Sequence, residues 1–353
     1  MINLDDAQVF QRLDPGGMLA FLHQMPRQFQ QAWEMAINFD LPEDYRNVDK
    51  VVVLGMGSSA IGAELVSGLV AAEAKLPIFI CRDYSLPAFV DARTLVIASS
   101  YSGMTEETIS SFKQALKTEA KKMAITTGGR LKTIAAKANV PVFSFDYKAQ
   151  PRVAIGFSFM AILGSLQKLG FISDQSADVA ETVLTLEELS QEIAEDVVLS
   201  RNPAKQLAGA LYGHLAVIYG AGILSGVARR WKTQLNENSK AWAFYELSPE
   251  LNHNAVVGYK FPPDLADKVL VVLLRSSFLP KTVQASYQVV CRLLEQDKVA
   301  YQIVEGRGKS RLSQMMSLLL FGDYLSYYLA ILNQTDPTPI SSISYLKGKL
   351  AKG

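Results

Sequence analysis

Residues 94–108 read TLVIASSYSGMTEET. Leu95-Val-Ile-Ala98 is an uninterrupted apolar run, the pattern of a strand buried on both faces. Small and hydroxyl residues crowd the next positions: Ser99, Ser100, Ser102, Gly103 and Thr105. Glu106 and Glu107 then open a helical spacing through Ile109, Phe112, Ala115 and Leu116. The stretch predicts a strand, a hydroxyl-rich turn and a helix starting near Thr105. A helix start has unpaired N–H groups and the positive end of the dipole, so it attracts anions. Neutral hydroxyls around it suit a phosphate ester. Each one alone is equally a turn or capping residue.

The same pattern surrounds this stretch. Residues 50–55, KVVVLG, form another apolar strand, followed by Gly55, Gly57, Ser58, Ser59 and Gly62 and a helix through Leu65 and Leu69. Ile78–Cys81, Met123–Thr126 and Val142–Phe145 are further short apolar strands between helical segments. The alternation predicts an α/β fold with a parallel β-sheet flanked by helices. Ahead of it, Met18, Leu19, Phe21 and Leu22, then Phe29, Trp33, Met35 and Ile37, predict an N-terminal helical cap. Long helices are expected over 153–169 and 177–198.

The pattern then restarts. LAVIYGAGIL at 215–224 echoes VVVLGMGSSA at 51–60, with Gly220 and Gly222 in place of Gly55 and Gly57. Val269–Leu274 followed by Arg275-Ser276-Ser277 echoes Leu95–Ser100. Helix 281–297, strand Tyr301–Val304 and helix 311–332 complete a second unit, so an internal duplication is expected. The division read from this is a cap at 1–48, a first unit with bridging helices at 49–198, and a second unit with a C-terminal helix at 199–353. The second copy has Ile223, Leu224, Phe278, Leu279 and Pro280 where the first has hydroxyls. The first copy is therefore the anion binder and the second mainly scaffold.

Composition narrows the partners. A 353-residue chain is long enough for two domains. A net charge of +1 implies no basic face, which argues against nucleic acid and anionic membrane. The two cysteines, Cys81 and Cys291, build no disulfide framework or cysteine zinc site, and a reducing cytoplasmic setting is expected. The apolar stretches near 153–166 and 316–332 are short or interrupted by Asp323, and read as buried helices.

Gly55-Met-Gly57-Ser-Ser-Ala60 fits a dinucleotide fingerprint loosely, but Asp83 lies beyond the place a nicotinamide ribose requires. A second polar concentration, QLNENSKAWAFYELSPELNHNAVVGY at 234–259, reads as cleft lining. Within it Glu237 is a candidate general base, since a partly buried carboxylate gains basicity; on a helix it is otherwise a solvated face. His253, between Asn252 and Asn254, is a candidate for proton transfer. Arg152 can reach an anion in the site or sit on the surface. Lys347 and Lys349 in the tail otherwise serve solubility.

Taken together, GMGSSAIG, SYSGMTEET, QPR, NENSKAWAFYE, ELNHNAVVGY and DPTPISSISYLKGKL resemble the bifunctional phosphoglucose/phosphomannose isomerase family, in the phosphoglucose isomerase superfamily of sugar isomerase (SIS) domains. The resemblance runs from about residue 50 to the C-terminus. It implies two SIS units and a homodimer with active sites at the subunit interface. It implies that Gly57, Ser58, Ser100, Ser102 and Thr105 hold the phosphate of a sugar 6-phosphate. Glu237 would move a proton between C1 and C2, and Arg152 would stabilise the enediolate. His253, from the partner subunit, and Lys347 would assist ring opening; Thr338 would touch the sugar. No cofactor or metal is implied. Met104 stands where the family usually has Asn, and Ala255 where an acidic residue often follows. The competing readings are a SIS-type sugar-phosphate sensor without turnover, an isomerase of another sugar phosphate, and a nicotinamide-dependent enzyme.

Overall fold

Val51–Leu54 and Leu95–Ala98 carry no polar side chain, and strands apolar on both faces need cover on both faces. The computed structural model, which describes residues 2–350, gives them that cover. The first sheet holds β1 (Lys50–Leu54), β2 (Ile78–Cys81), β3 (Thr94–Ser99), β4 (Lys121–Thr126) and β5 (Val142–Ser144), in the order β2-β1-β3-β4-β5. The second holds β6 (Leu215–Ala221), β7 (Ala243–Ser248), β8 (Val269–Arg275) and β9 (Ala300–Glu305), in the order β7-β6-β8-β9. All pairings are parallel, with Leu54 opposite Ala98 in one sheet and Tyr219 opposite Leu273 in the other. The first four strands of each sheet thus follow the same order, as a duplication requires. In each, the chain moves from the central strand to one side and returns on the other. That leaves a switch point at the C-terminal ends of β1 and β3, and another at β6 and β8, where open α/β sheets bind ligands.

The helices are α1 (Ala7–Leu13), α2 (Met18–His23), α3 (Met25–Asn38), α4 (Gly57–Val70), α5 (Glu106–Ala115), α6 (Gly129–Lys137), α7 (Ile155–Lys168), α8 (Ser176–Glu192), α9 (Pro203–Leu211), α10 (Ser225–Glu237), α11 (Lys281–Gln296), α12 (Arg311–Leu332) and α13 (Ser341–Leu350). Alternate residues of the first sheet serve different cores. Val52, Leu54, Val96 and Ala98 pack with Phe112 of α5 and Leu131 of α6. Val51, Val53, Leu95 and Ile97 join the main core, which runs through α4, α7 and the N-terminal helices into the second sheet. The two units meet through equivalent helices, α4 on α10, where Arg229 Nε lies 2.9 Å from Glu64.

Two expectations change. The helix expected over 177–198 ends at Glu192, and α9 is a separate helix. Asn202 caps α9 by accepting from the N–H groups of Ala204 and Lys205, and Pro203 fits its first turn, so the chain restarts there. The polar run 234–259 contains β7, an edge strand with alternating burial that the excess of polar residues conceals.

α12 is long and apolar enough to cross a membrane by length and composition, yet from Leu312 onward it is buried in the protein. Asp323 at its middle pairs with Arg230 of α10, Nη2 to Oδ2 2.9 Å, and both side chains are fully buried. Burial pushes the Asp323 carboxyl up, and the Arg230 charge holds it down. Removing one partner strands the other charge away from water. Asp323→Asn is therefore expected to cost about 3–5 kcal/mol in denaturant unfolding. A loss below about 1 kcal/mol would mean that water reaches the pair.

Candidate active site

The first switch point is built from two helix starts. α4 begins at Gly57 and α5 after Thr105, and neither has a side-chain cap, so their first N–H groups remain available. Gly57 turns the chain at φ 51°, a left-handed value that favours glycine. Ser100 is buried, and its Oγ donates to Thr105 Oγ1 at 3.0 Å. Ser102 is exposed, and its Oγ accepts from the Met104 N–H at 3.2 Å. Ser58 is half-buried beside Gly57. The structure therefore assembles these turn residues at the ends of adjacent strands, as the sequence predicts. Met104 is exposed, with its sulfur against the Arg130 N–H, and does not enter the Ser100–Thr105 pair. A narrow crevice lined by Ser58, Ser59, Ser99, Tyr101, Pro151 and Ser158 leads from these turns to the segment carrying Arg152. Ser99, the last residue of β3, has its Oγ buried there without a partner.

The second switch point has the same backbone turn, with Gly222 also at φ 51°. It is filled from within. Gln314 of α12 places its carbonyl oxygen 2.7 Å from Ser276 Oγ and 3.0 Å from the Ser277 N–H. The site where an anion would sit already holds a neutral acceptor. Sequence spacing gives no sign of this plug, since Gln314 lies on a different element.

The charged part of the site is held by elements far apart in the chain. Arg152 lies in the short turn Pro151–Val153 before α7, with its side chain 1% exposed. A buried guanidinium needs its donors satisfied. Its Nε donates to Asn238 Oδ1 at 2.6 Å, and Nη2 donates to the carbonyls of Pro337 and Thr338, both at 2.8 Å. Asn238 donates in turn to Ser326 Oγ at 3.0 Å. Arg230 Nη2 donates to the Arg152 carbonyl at 2.6 Å, tying this cluster to the buried pair with Asp323. The remaining Arg152 nitrogen, Nη1, lies 3.7 Å from Glu237 Oε2. That is a Coulombic contact short of a hydrogen bond, and it leaves the carboxylate open to another partner. Burial pushes Arg152 down and the Glu237 charge pushes it up; the group stays cationic.

Glu237 is the last residue of α10 and is part-exposed, so the candidate base and its cation meet. Lys240 joins them: its Nζ donates to the Glu237 carbonyl at 2.6 Å and to the Pro337 carbonyl at 3.1 Å. In the sequence, Asn238 and Lys240 are visible only as part of a polar run. Thr338 offers its carbonyl to Arg152, while its buried Oγ1 has no partner and packs on Gly16 of the N-terminal segment. His253 sits exposed on the short turn Glu250–His253 after β7, and Lys347 sits on the exposed helix α13. Neither bonds to the Arg152–Glu237 cluster within this chain. A wider groove follows the open edge of β9 beside Leu207 and Phe321, away from these groups.

Residues 200–350 match the family described as the bacterial phospho-glucose isomerase C-terminal SIS domain. A bifunctional phosphoglucose/phosphomannose isomerase of Caldicellulosiruptor bescii is 40% identical over 336 residues, covering 95% of this chain and 99% of the relative. A protein of the same name from Aquifex aeolicus is 31% identical, covering 89% and 94%. The crystal structure of a hypothetical protein from Thermus thermophilus is similar with a TM-score of 0.74 at 16% identity, over 98% of this chain and 93% of that one, a likeness of fold.

With one switch point open and the other plugged, inorganic phosphate is expected to bind at one site per chain in calorimetry. Ser100→Ala combined with Thr105→Ala should weaken it about tenfold. Unchanged binding would place the anion elsewhere.

Proposed function

The chain belongs to the family of bifunctional phosphoglucose/phosphomannose isomerases, and we propose how its residues interconvert glucose 6-phosphate and mannose 6-phosphate with fructose 6-phosphate. The observation that carries the reading is the Arg152–Glu237 pair, a carboxylate beside a buried cation at 3.7 Å.

The substrate phosphate sits at the starts of α4 and α5, against Gly57, Ser58, Ser100, Ser102 and Thr105. Neutral donors hold the dianion without pulling on the base. Phosphate binding, remote from the reacting carbons, orients them. His253 and Lys347 assist ring opening. Glu237 takes the proton from C2 of the open aldose, the O2 hydroxyl proton passes to O1, and Glu237 returns its proton at C1 as the C2 carbonyl forms, a process in which a positioned base contributes about 10²–10⁴-fold. The electron pair left at C2 moves into a cis-enediolate, whose negative oxygen faces Arg152. That guanidinium is already oriented by Asn238, Pro337 and Thr338, so it needs little rearrangement as charge develops. The enediolate is planar at C2, which allows either aldose to form. Thr338 acts in this scheme through its carbonyl, as an anchor of Arg152.

The assembly we propose is a homodimer in which His253 completes the partner's site. Its support is the exposed apolar side chains in the segments before and after the histidine: Trp242, just before β7, is 73% exposed, and Val257 and Phe261, after the histidine, are 84% and 77% exposed. α13, with Tyr345 and Leu346 exposed beside Lys347, belongs to the same uncovered surface type. We place the protein in the cytoplasm, where the two free, buried cysteines stay reduced.

Glu237→Gln is expected to fold, bind fructose 6-phosphate and lose at least about 10²-fold in kcat. Retention of more than about a tenth of the turnover would remove Glu237 as the base. Mixing Glu237→Gln chains with His253→Ala chains, each inactive, should restore activity through mixed dimers. Proven subunit exchange without rescue would contradict a shared site.

A further inference from the structure

Lys240 lies three positions after Glu237, and its backbone is in the left-handed region at φ 55°. Just past a helix end, that conformation belongs to glycine, and a side chain there carries strain. Asn139, Lys298 and Gln334 share that conformation past other helix ends. What sets Lys240 apart is that its ammonium turns back to its own helix end. Nζ donates to the Glu237 carbonyl at 2.6 Å and to the Pro337 carbonyl at 3.1 Å. The first is the last carbonyl of α10, where a cation also meets the negative end of the dipole. The second already accepts from Arg152 Nη2 at 2.8 Å, using the other lone pair. One ammonium therefore joins the backbone of the base to the turn that anchors the guanidinium.

We propose that Lys240 is a positioning residue of the isomerase site, clamping the Glu237 backbone to the Pro337 turn so that Glu237 and Arg152 keep a fixed spacing while the enediolate forms. This rests on the isomerase reading of the same site. Loss of water around the ammonium and the neighbouring Arg152 charge push Lys240 down to about 8, with Asp336 and Glu237 opposing. The clamp is charged below that value and weakens above it.

Lys240→Gly relieves the strain and removes the ammonium; Lys240→Arg keeps a cation. For wild type and both variants, kcat and KM for fructose 6-phosphate are measured across about pH 6–10, with Tm. In Lys240→Gly, kcat is expected to fall about ten- to a hundredfold while KM stays within about twofold and Tm does not drop. Wild-type kcat should decline as pH rises through about 8. Lys240→Arg should recover at least about a third of kcat and lack that decline, because a guanidinium stays charged. A Lys240→Gly kcat within about twofold of wild type overturns the proposal. So does a kcat loss matched by a lower Tm and not restored by Lys240→Arg, which marks a merely structural residue. An inactive wild type overturns the isomerase reading, and this inference with it.

Discussion

A guanidinium taken out of water must find all its partners inside the protein, and Arg152 makes that demand where the two units meet. Its hydrogen-bond acceptors are Asn238 at the end of α10 and the 337–338 turn, and its remaining nitrogen faces Glu237 at 3.7 Å, so each of these is oriented by the same cation. Breaking one contact would leave a buried donor unpaired, which costs more than the bond itself is worth. Arg230 and Asp323 extend the constraint into α12 through the Arg152 carbonyl. The result is a cation fixed before substrate arrives, beside a carboxylate it does not fully occupy.

The two sheets share a strand order and so have two switch points, but the two units do not share their chemistry. Both central strands lead into a glycine at φ 51°, and both sheets begin with the same strand order. In the first unit, two uncapped helix starts and a pair of hydroxyls leave an opening for an anion. In the second, the Gln314 amide occupies the equivalent place and satisfies Ser276 and Ser277. A neutral side chain replaces a charged ligand, and α12 is thereby tied to the second sheet. The second unit is then free to supply Glu237, Asn238 and Lys240 from the helix that follows its own glycine turn.

Much of this is legible in the chain. Strands such as Val51–Leu54 and Leu95–Ala98 stand out because burial on both faces forces apolar runs. β7 does not, because one side of an edge strand faces solvent and its composition merges with the polar run around it. The hydroxyl-rich turn Ser99–Thr105 is legible because its residues are neighbours in sequence. The meeting of Arg152 with Asn238 is not: 86 positions separate them, and only the fold brings them together. Glu237 stands out in the polar run as a candidate base and Arg152 as a residue able to reach an anion, but their action at C1, C2 and the enediolate enters through resemblance. Lys240 depends on a backbone angle that no propensity predicts, and the Gln314 plug on a contact across elements.

One carboxylate carrying a proton through an enediolate to give both aldoses is the central claim. The most direct measurement is conversion of fructose 6-phosphate in deuterium oxide, with glucose 6-phosphate and mannose 6-phosphate quantified separately and their C2 hydrogens assigned by NMR. Both aldoses are expected to form with deuterium at C2 of each, because the proton on a carboxylate exchanges with solvent. Formation of only one aldose, or of products that stay wholly unlabelled at C2 as direct hydride transfer would leave them, would contradict it.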